Sequence, residues 1–326
     1  MRHHDVISLR CWILVGIILN VLLGLVCPWP SSVAAAGISQ QHYDFLPAKG
    51  KTLLMLGQDK KTIDEYVTAI GVVPAGVMVY TSIQEVSGLA QPFNNGAGVH
   101  HAAYLLQKYP HSSLQIGLYM VNALDGVNQG TYDQNIEKLA VWIRGQQRPV
   151  YLRIGYEFDN PENHYDPQKY ILAFKRIVDR FRALNVDNVA FVWHSGAYIA
   201  GDADPMDWFP GEDYVDWFAV SFFSPAQYEQ ISRMAGRANL WDKPFMIAES
   251  SPMGTFTLKA KKEWYDKFFR IIAKLEPQAV CYINNNWDSL PMWENFKFGD
   301  ARVEQLPEIK DLWLKEINKP RYVHAR

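Results

Sequence analysis

Cysteine is nearly absent from these 326 residues: there are three, and two of them, Cys11 and Cys27, fall within the first 27 positions. A scaffold stapled by disulfides is therefore excluded. Charge of one sign is lacking too. Thirty-two Lys and Arg face 34 Asp and Glu, for a formal net charge of -2, so no overall basic field draws the chain to nucleic acid or anionic lipid. No low-complexity tract, long charge run or linker marks a second domain. A doubly wound sheet usually carries a Gly-rich phosphate loop after its first strand; here that place reads Gly57-Gln58-Asp59-Lys60, which fits neither fingerprint. What is abundant is apolar mass. Hydrophobic residues make up 48%, charged ones 20% and aromatics 13%, enough for a full core and outside the disordered or fibrous range.

The first 36 residues read as a segment apart from the fold. Arg2, His3, His4 and Arg10 precede an apolar run from Cys11 to Cys27, and Val33-Ala34-Ala35-Ala36 offers small residues for cleavage. This is the layout of a secretory signal peptide. An uncleaved anchor is the rival, since the run approaches the roughly 20 residues a spanning helix needs. Gly16, Asn20, Gly24 and the Pro28/Pro30 break favour cleavage. The expectation is an exported, extracellular or periplasmic chain, 37–326, with Cys281 as its single thiol and no association with membrane after cleavage.

Across 37–326, short apolar runs alternate with amphipathic stretches. The strand candidates are Thr52–Leu56, Gly76–Tyr80, Leu114–Met120, Pro149–Glu157, Asn188–His194, Val215–Phe222, Pro244–Glu249 and Ala279–Asn284. Helical spacing appears in Thr131–Gln147, through Ile136, Leu139, Ala140 and Ile143. A further helix opens at Asp166-Pro167, an N-cap followed by proline at the first helical position, and carries Tyr170, Phe174, Ile177, Val178, Phe181 and Leu184 on one face. Leu258–Leu275 and about Leu306 to Ile317 complete the set. Eight strands alternating with helices predict a single-domain (β/α)8 TIM barrel, with a doubly wound open sheet as the alternative.

In such a barrel, chemistry gathers at the carboxyl ends of the strands. The fourth candidate reads Val150-Tyr151-Leu152-Arg153-Ile154-Gly155-Tyr156-Glu157. Period-two alternation puts Leu152 and Ile154 on one face and Arg153, Gly155 and Glu157 on the other. The seventh, Pro244-Phe245-Met246-Ile247-Ala248-Glu249, also ends on one carboxylate. Both acids have a plain reading as solvated strand ends or caps. Facing one another across the barrel mouth, they would suit glycoside hydrolysis, in which one carboxyl protonates the leaving oxygen and the other attacks or stabilises the anomeric carbon.

Arg153-Ile154-Gly155-Tyr156-Glu157-Phe158-Asp159 resembles the acid/base motif of family 26 glycoside hydrolases, and Phe245-Met246-Ile247-Ala248-Glu249-Ser250-Ser251-Pro252 resembles their nucleophile motif. Between them, Trp208-Phe209-Pro210-Gly211-Glu212-Asp213-Tyr214-Val215-Asp216-Trp217 is similar to a "W-x-P-G-D-D-x-V-D-W" signature of that family. The resemblance implies a (β/α)8 barrel that acts with retention on a β-linked plant or algal polysaccharide, with Glu157 as acid/base and Glu249 as nucleophile. Tyr156 in place of the histidine of mannan-cleaving members, together with Tyr282-Ile283-Asn284 and Trp287-Asp288-Ser289, looks like the endo-β-1,3-xylanase branch. Asn160-Pro161-Glu162-Asn163-His164 lacks the tryptophan that branch tends to place after its acid/base, and the paired loop cysteines of its members are absent. Both departures touch the substrate groove, so β-1,3-xylan and β-mannan types stay open.

Arg153, Tyr156, Trp193, His194, Phe222 and Trp287 are the expected substrate-binding residues. Each has a structural alternative: a buried ion pair for Arg153, a hydrogen-bonded framework imidazole for His194, core packing for the aromatics. Phe222 and Phe223 stand where related barrels often place a tyrosine beside the nucleophile, so another group must supply that hydrogen bond. His100-His101 are neighbours that cannot share a helix face, and Asp202, Asp204 and Asp207 lack an ordered ligand loop; no metal and no cofactor is expected. The expected partner is polysaccharide alone, bound by a monomer. A catalytically silent carbohydrate-binding barrel remains the alternative, because fold does not guarantee activity.

Overall fold

The computed structural model describes residues 43–198 and 204–325; the expected signal segment 1–36 and Asp202 lie outside them. Eight parallel strands follow one another in chain order: β1 (Thr52–Gly57), β2 (Gly76–Ser82), β3 (Ser113–Tyr119), β4 (Val150–Ile154), β5 (Val189–Ser195), β6 (Trp217–Phe222), β7 (Phe245–Ser250) and β8 (Ala279–Ile283). Each pairs with the next, and β8 returns to β1 with Ile283 beside Gly57, which closes the sheet. The short strand Tyr322–Val323 adds to the amino end of β1. The chain folds as a (β/α)8 barrel.

Closure covers both faces of every strand, which is why the strands read as near-continuous apolar runs. Alternate residues divide between two layers. Leu152 and Ile154 join the layer under the helices, whereas Tyr151 points into the lumen with Met78, Val192, Trp217, Met246 and Cys281. The outer ring comprises α1 (Lys60–Ile70), α2 (Ala102–Lys108), α3 (Leu124–Gln129), α4 (Asp133–Gly145), α5 (Pro167–Ala183), α6 (Tyr228–Leu240), α7 (Leu258–Leu275) and α8 (Pro307–Ile317). Their starts are written locally. Asp59 caps α1 by accepting from the amides of Lys61 and Thr62 at 2.8 and 3.0 Å. Asp166 caps α5 through the Lys169 amide at 2.9 Å, with Pro167 at the first helical position. Tyr170, Phe174, Ile177, Val178 and Phe181 form the buried face of α5, and Leu184 ends up as its C-cap.

One expected alternation fails. Among the described residues, only the 3-10 turns Pro205–Trp208 and Glu212–Tyr214 lie between β5 and β6. Aromatic packing does the work of a helix there. Phe209 stacks on Trp241 with centroids 4.7 Å apart and meets Trp193 at 5.0 Å. The Trp193 indole donates to the Trp208 carbonyl at 3.2 Å, and the Trp208 indole to the Tyr165 carbonyl at 2.9 Å. Asp216 accepts from the Phe191 amide at 2.7 Å. The segment Trp208–Trp217 is thus a structural brace on the outside of β5 and β6.

Two local departures from regular strand geometry shape the barrel mouth. First, β4 stops at Ile154 rather than running on to Glu157. Gly155 turns the chain with φ 54°, and a Cβ there would lie 2.7 Å from Met120 Cε and 2.8 Å from the Tyr170 ring. Second, the β6–β7 register slips between Val220 and Ser221, so Val220 pairs with Ile247 but Ser221 with Glu249. Plain alternation from Met246 and Ala248 would turn Glu249 outward. The bulge re-aims it, a common use of this irregularity beside functional sites.

Cys281 lies in the lumen with no exposed surface, and burial holds its thiol far above the usual range. Thiolate is the reactive form. Peptide mapping after treatment with a thiol reagent should therefore find Cys281 unmodified in the folded chain and modified once denaturant is added. Labelling of Cys281 under native conditions would contradict this packing.

Candidate active site

Arg153, on β4, is wholly buried in the lumen. Its Nη1 donates to Glu249 Oε1 and, at 3.2 Å, to His194 Nδ1; its Nη2 lies 3.0 Å from the sulfur of Met78. The guanidinium carbon sits 5.1 Å from the Tyr80 ring centroid and 5.3 Å from that of Tyr156. Cation–π attraction strengthens when the pair is desolvated. Burial acts against the charge on Arg153, but Glu249 and Tyr80 outweigh it and hold the guanidinium protonated.

Glu157 follows the Gly155 turn with φ 51° and is 8% exposed. Ser221 Oγ donates to its Oε1 at 2.6 Å, and Asn160 Nδ2 to its Oε2 at 3.1 Å. Ser221 Oγ also lies 3.1 Å from His194 Nε2. Burial first, and the neighbouring charge of Glu249 second, raise the Glu157 carboxyl from 4.5 to about 8. Glu249, 5% exposed, is ion-paired with Arg153. The mouth therefore holds one carboxyl that is protonated at neutral pH and one carboxylate held by a cation. A raised carboxyl beside an ion-paired one is an arrangement that suits a general acid and its partner. His194, buried beside Arg153, is held well below the usual imidazole range by desolvation and then by that cation, so it is neutral.

The loops that carry these groups are bound to one another. Asp159 accepts from Ser195 Oγ and from the Gly196 amide, both at 2.6 Å. Gln227 donates to the Gly196 carbonyl at 2.8 Å and accepts from the amides of Phe223 and Ser224. Backbone and side chains after β4, β5 and β6 thus form one rim.

Of the residues expected at the site, Glu157, Glu249, Arg153 and His194 come together, and Tyr156 stands half-buried over Arg153. Three do not line the cleft. Trp193 points to the helix side, stacked on Phe158 at 4.5 Å. Phe222 does likewise against Phe268 at 5.4 Å and Trp264 at 5.2 Å. Both follow from alternation, because His194 and Ser221 take the inward positions beside them. Trp287 is 2% exposed, bonded through its indole N–H to Ser251 Oγ at 2.8 Å and covered by Trp293 and Phe298. It supports the rim from behind. His100 and His101 diverge: His100 is buried against Asn95 and the Tyr80 amide, while His101 stacks on Tyr104. Asp204 caps the turn at Pro205 and pairs with Arg237 at 2.7 Å.

Ser221, Tyr80 and Tyr198 join the site without a motif that singles them out in the sequence. Ser221 continues the inward series Trp217, Ala219 on β6, and Tyr80 follows Met78 on β2, so counting by twos reaches both. Tyr198 stands on the loop after β5 with 39% exposure; burial and then the charges of Glu157 and Glu249 raise its phenol.

No family model matches the chain. A β-1,3-xylanase from an Alcaligenes species is 31% identical over 327 residues, covering 90% of this chain and 69% of that protein. Among solved structures, a GH26 β-mannanase from Bacteroides ovatus is similar with a TM-score of 0.64 at 15% identity, over 85% of this chain and 91% of that one. The chain belongs to glycoside hydrolase family 26. A β-1,3-xylanase from a Vibrio species is 31% identical over 302 residues, covering 83% of this chain and 65% of that protein. This family 26 chain thus spans about two thirds of the length of those relatives. A structure of GH26C from a Muricauda species matches with a TM-score of 0.61 at 14% identity, over 85% of this chain and 88% of that one, a likeness of fold.

Two outcomes follow. Phe222→Ala should cost about 3–5 kcal/mol of stability, as expected for a truncated buried aromatic, and leave KM unchanged; a raised KM at unchanged melting temperature would put Phe222 back in the cleft. Glu157 has a pKa higher folded than unfolded, so the folded state binds more protons between about 4.5 and about 8. Its contribution is complete below the unfolded value and is lost as pH rises through the folded one. Glu157→Gln should therefore gain melting temperature over the native protein at pH above about 8. An equal gain at acid and alkaline pH would contradict the raised carboxyl.

Proposed function

We propose that this chain is a retaining endo-β-glycanase that hydrolyses β-1,3-xylan, with Glu157 as general acid/base and Glu249 as nucleophile. The observation that carries the reading is the unequal pair at the barrel mouth: Glu157 with its carboxyl raised to about 8, beside Glu249 ion-paired with Arg153. In the first step Glu157 gives its proton to the glycosidic oxygen while a Glu249 oxygen attacks the anomeric carbon, which forms a glycosyl ester and expels the sugar alcohol. In the second, Glu157, now a carboxylate, takes a proton from water; the water oxygen attacks the same carbon and frees Glu249. Arg153 occupies Oε1 of Glu249, leaving the other oxygen for attack. Two relatives bearing the name β-1,3-xylanase support that polymer as substrate. The apolar run Cys11–Cys27 before Ala34-Ala35-Ala36 supports export, and we infer that the exported chain acts as a monomer.

The test is a polysaccharide panel with reducing-end release and pull-down measured together. Release from β-1,3-xylan, with newly formed ends appearing first as the β anomer by proton NMR, is expected. Binding without release would favour a silent carbohydrate-binding barrel, and initial α anomer would mean inversion. Glu249→Ala should lose at least 4 orders of magnitude in rate, roughly 5 kcal/mol of barrier. Added azide should restore it with an α-glycosyl azide product, whereas Glu157→Ala should yield the β azide and lose the alkaline limb of its pH profile.

A further inference from the structure

The two glutamates are joined by an unbroken file of hydrogen bonds through the lumen: Glu249, Arg153, His194, Ser221, Glu157. Its direction follows from valence. A guanidinium has donors only, so Arg153 Nη1 spends one hydrogen on Glu249 and the other on His194 Nδ1, which must accept. A neutral imidazole that accepts at Nδ1 carries its proton on Nε2. His194 therefore carries its proton on Nε2, 3.1 Å from Ser221 Oγ and with the Val220 carbonyl as a second acceptor, and the hydroxyl, with that lone pair engaged, donates to Glu157 Oε1. Every arrow points away from the guanidinium.

We propose that His194 and Ser221 are positioning residues that hold Glu157 Oε1 in the acceptor role, so that the acid proton resides on Oε2, whose remaining lone pair accepts from Asn160 Nδ2. This inference rests on the reading of Glu157 as the general acid. The file is a clamp rather than a proton wire, because it ends on a guanidinium that neither takes up nor releases a proton in the working range. The proton given to the leaving oxygen departs from Oε2, and the one regained comes from the attacking water. Ser221 donates to Glu157 throughout, more strongly when Glu157 is charged, so the clamp also favours the carboxylate needed in the second step.

Among the described residues, the charged and titratable surroundings of Glu157 are few. Glu249 from β7 and Asp159 from its own loop carry negative charge; Arg153 from β4 carries the positive one. Tyr156, Tyr165 and Tyr198 are phenols raised by burial, and His194 from β5 stays neutral. Of these groups, the one raised to near and just above neutrality is Glu157.

The experiment reads the groups directly, so that it does not depend on turnover. In the native protein labelled with 15N-histidine, His194 should show a protonated Nε2 and an unprotonated, accepting Nδ1 throughout the range in which Glu157 titrates. In Ser221→Ala, the Glu157 carboxyl, followed by 13C NMR, should titrate about one unit higher, since a donor to its charged form is gone. Ser221→Thr, which keeps the hydroxyl, should restore the native midpoint. Where turnover is measured, the alkaline limb should move with the carboxyl. An imidazolium or the opposite tautomer at His194, or an unmoved Glu157 midpoint in Ser221→Ala, overturns the clamp. Absence of hydrolysis by the native protein, with the titrations as expected, overturns the enzymatic reading and leaves the clamp standing.

Discussion

A guanidinium taken out of water costs several kcal/mol unless charge and hydrogen bonds meet it, and Arg153 is placed in the barrel lumen with no exposed surface. Much of the mouth follows from that requirement. Glu249 supplies the counter-charge, His194 accepts the second Nη1 hydrogen, and the rings of Tyr80 and Tyr156 cover the cation. Removing water from the ion pair also removes it from Glu157, whose carboxyl then rises because no cation touches it. A single buried charge thus leaves one glutamate ion-paired and the other raised by burial and by its neighbour.

Rigidity of the rim gives this arrangement its value. Preorganised dipoles lower a barrier only if they need not reorganise during the reaction. Asp159 ties the loop after β4 to Ser195 and Gly196, and Gln227 ties Gly196 to the segment after β6. The β6–β7 bulge and the Gly155 turn do the remaining positioning, one for Glu249 and one for Glu157. Outside the barrel, Phe209 and Trp241 fill the space where a helix would otherwise lie.

Period-two counting was sufficient for the barrel and for Arg153, because a strand buried on both faces still sorts its side chains by parity. It also holds the correction for the aromatics: on β5 and β6 the inward residues are His194 and Ser221, which leaves Trp193 and Phe222 to the helices. What composition and spacing do not carry is irregular backbone. The bulge that turns Glu249 inward leaves no mark in Phe245–Glu249, and the end of β4 at Ile154 is signalled only by Gly155. Trp287 reads as a sugar platform because tryptophan at a strand end often is one; the loop residues Trp293 and Phe298, far in pattern from any strand, cover it. The signature Trp208–Trp217 was legible as a family mark, but its role as a brace became visible only with its indole and Asp216 hydrogen bonds.

In the proposed mechanism Glu249 attacks carbon while Glu157 handles the proton. Trapping the intermediate tests it most directly: the native protein is incubated with an activated 2-deoxy-2-fluoro β-xylosyl substrate, then digested and mapped by mass spectrometry. One glycosyl adduct is expected, on the peptide containing Glu249, and it should disappear on prolonged incubation in water as activity returns. A stable adduct on Glu157, or full turnover of the native substrate with the α anomer formed first and no adduct anywhere, would contradict it.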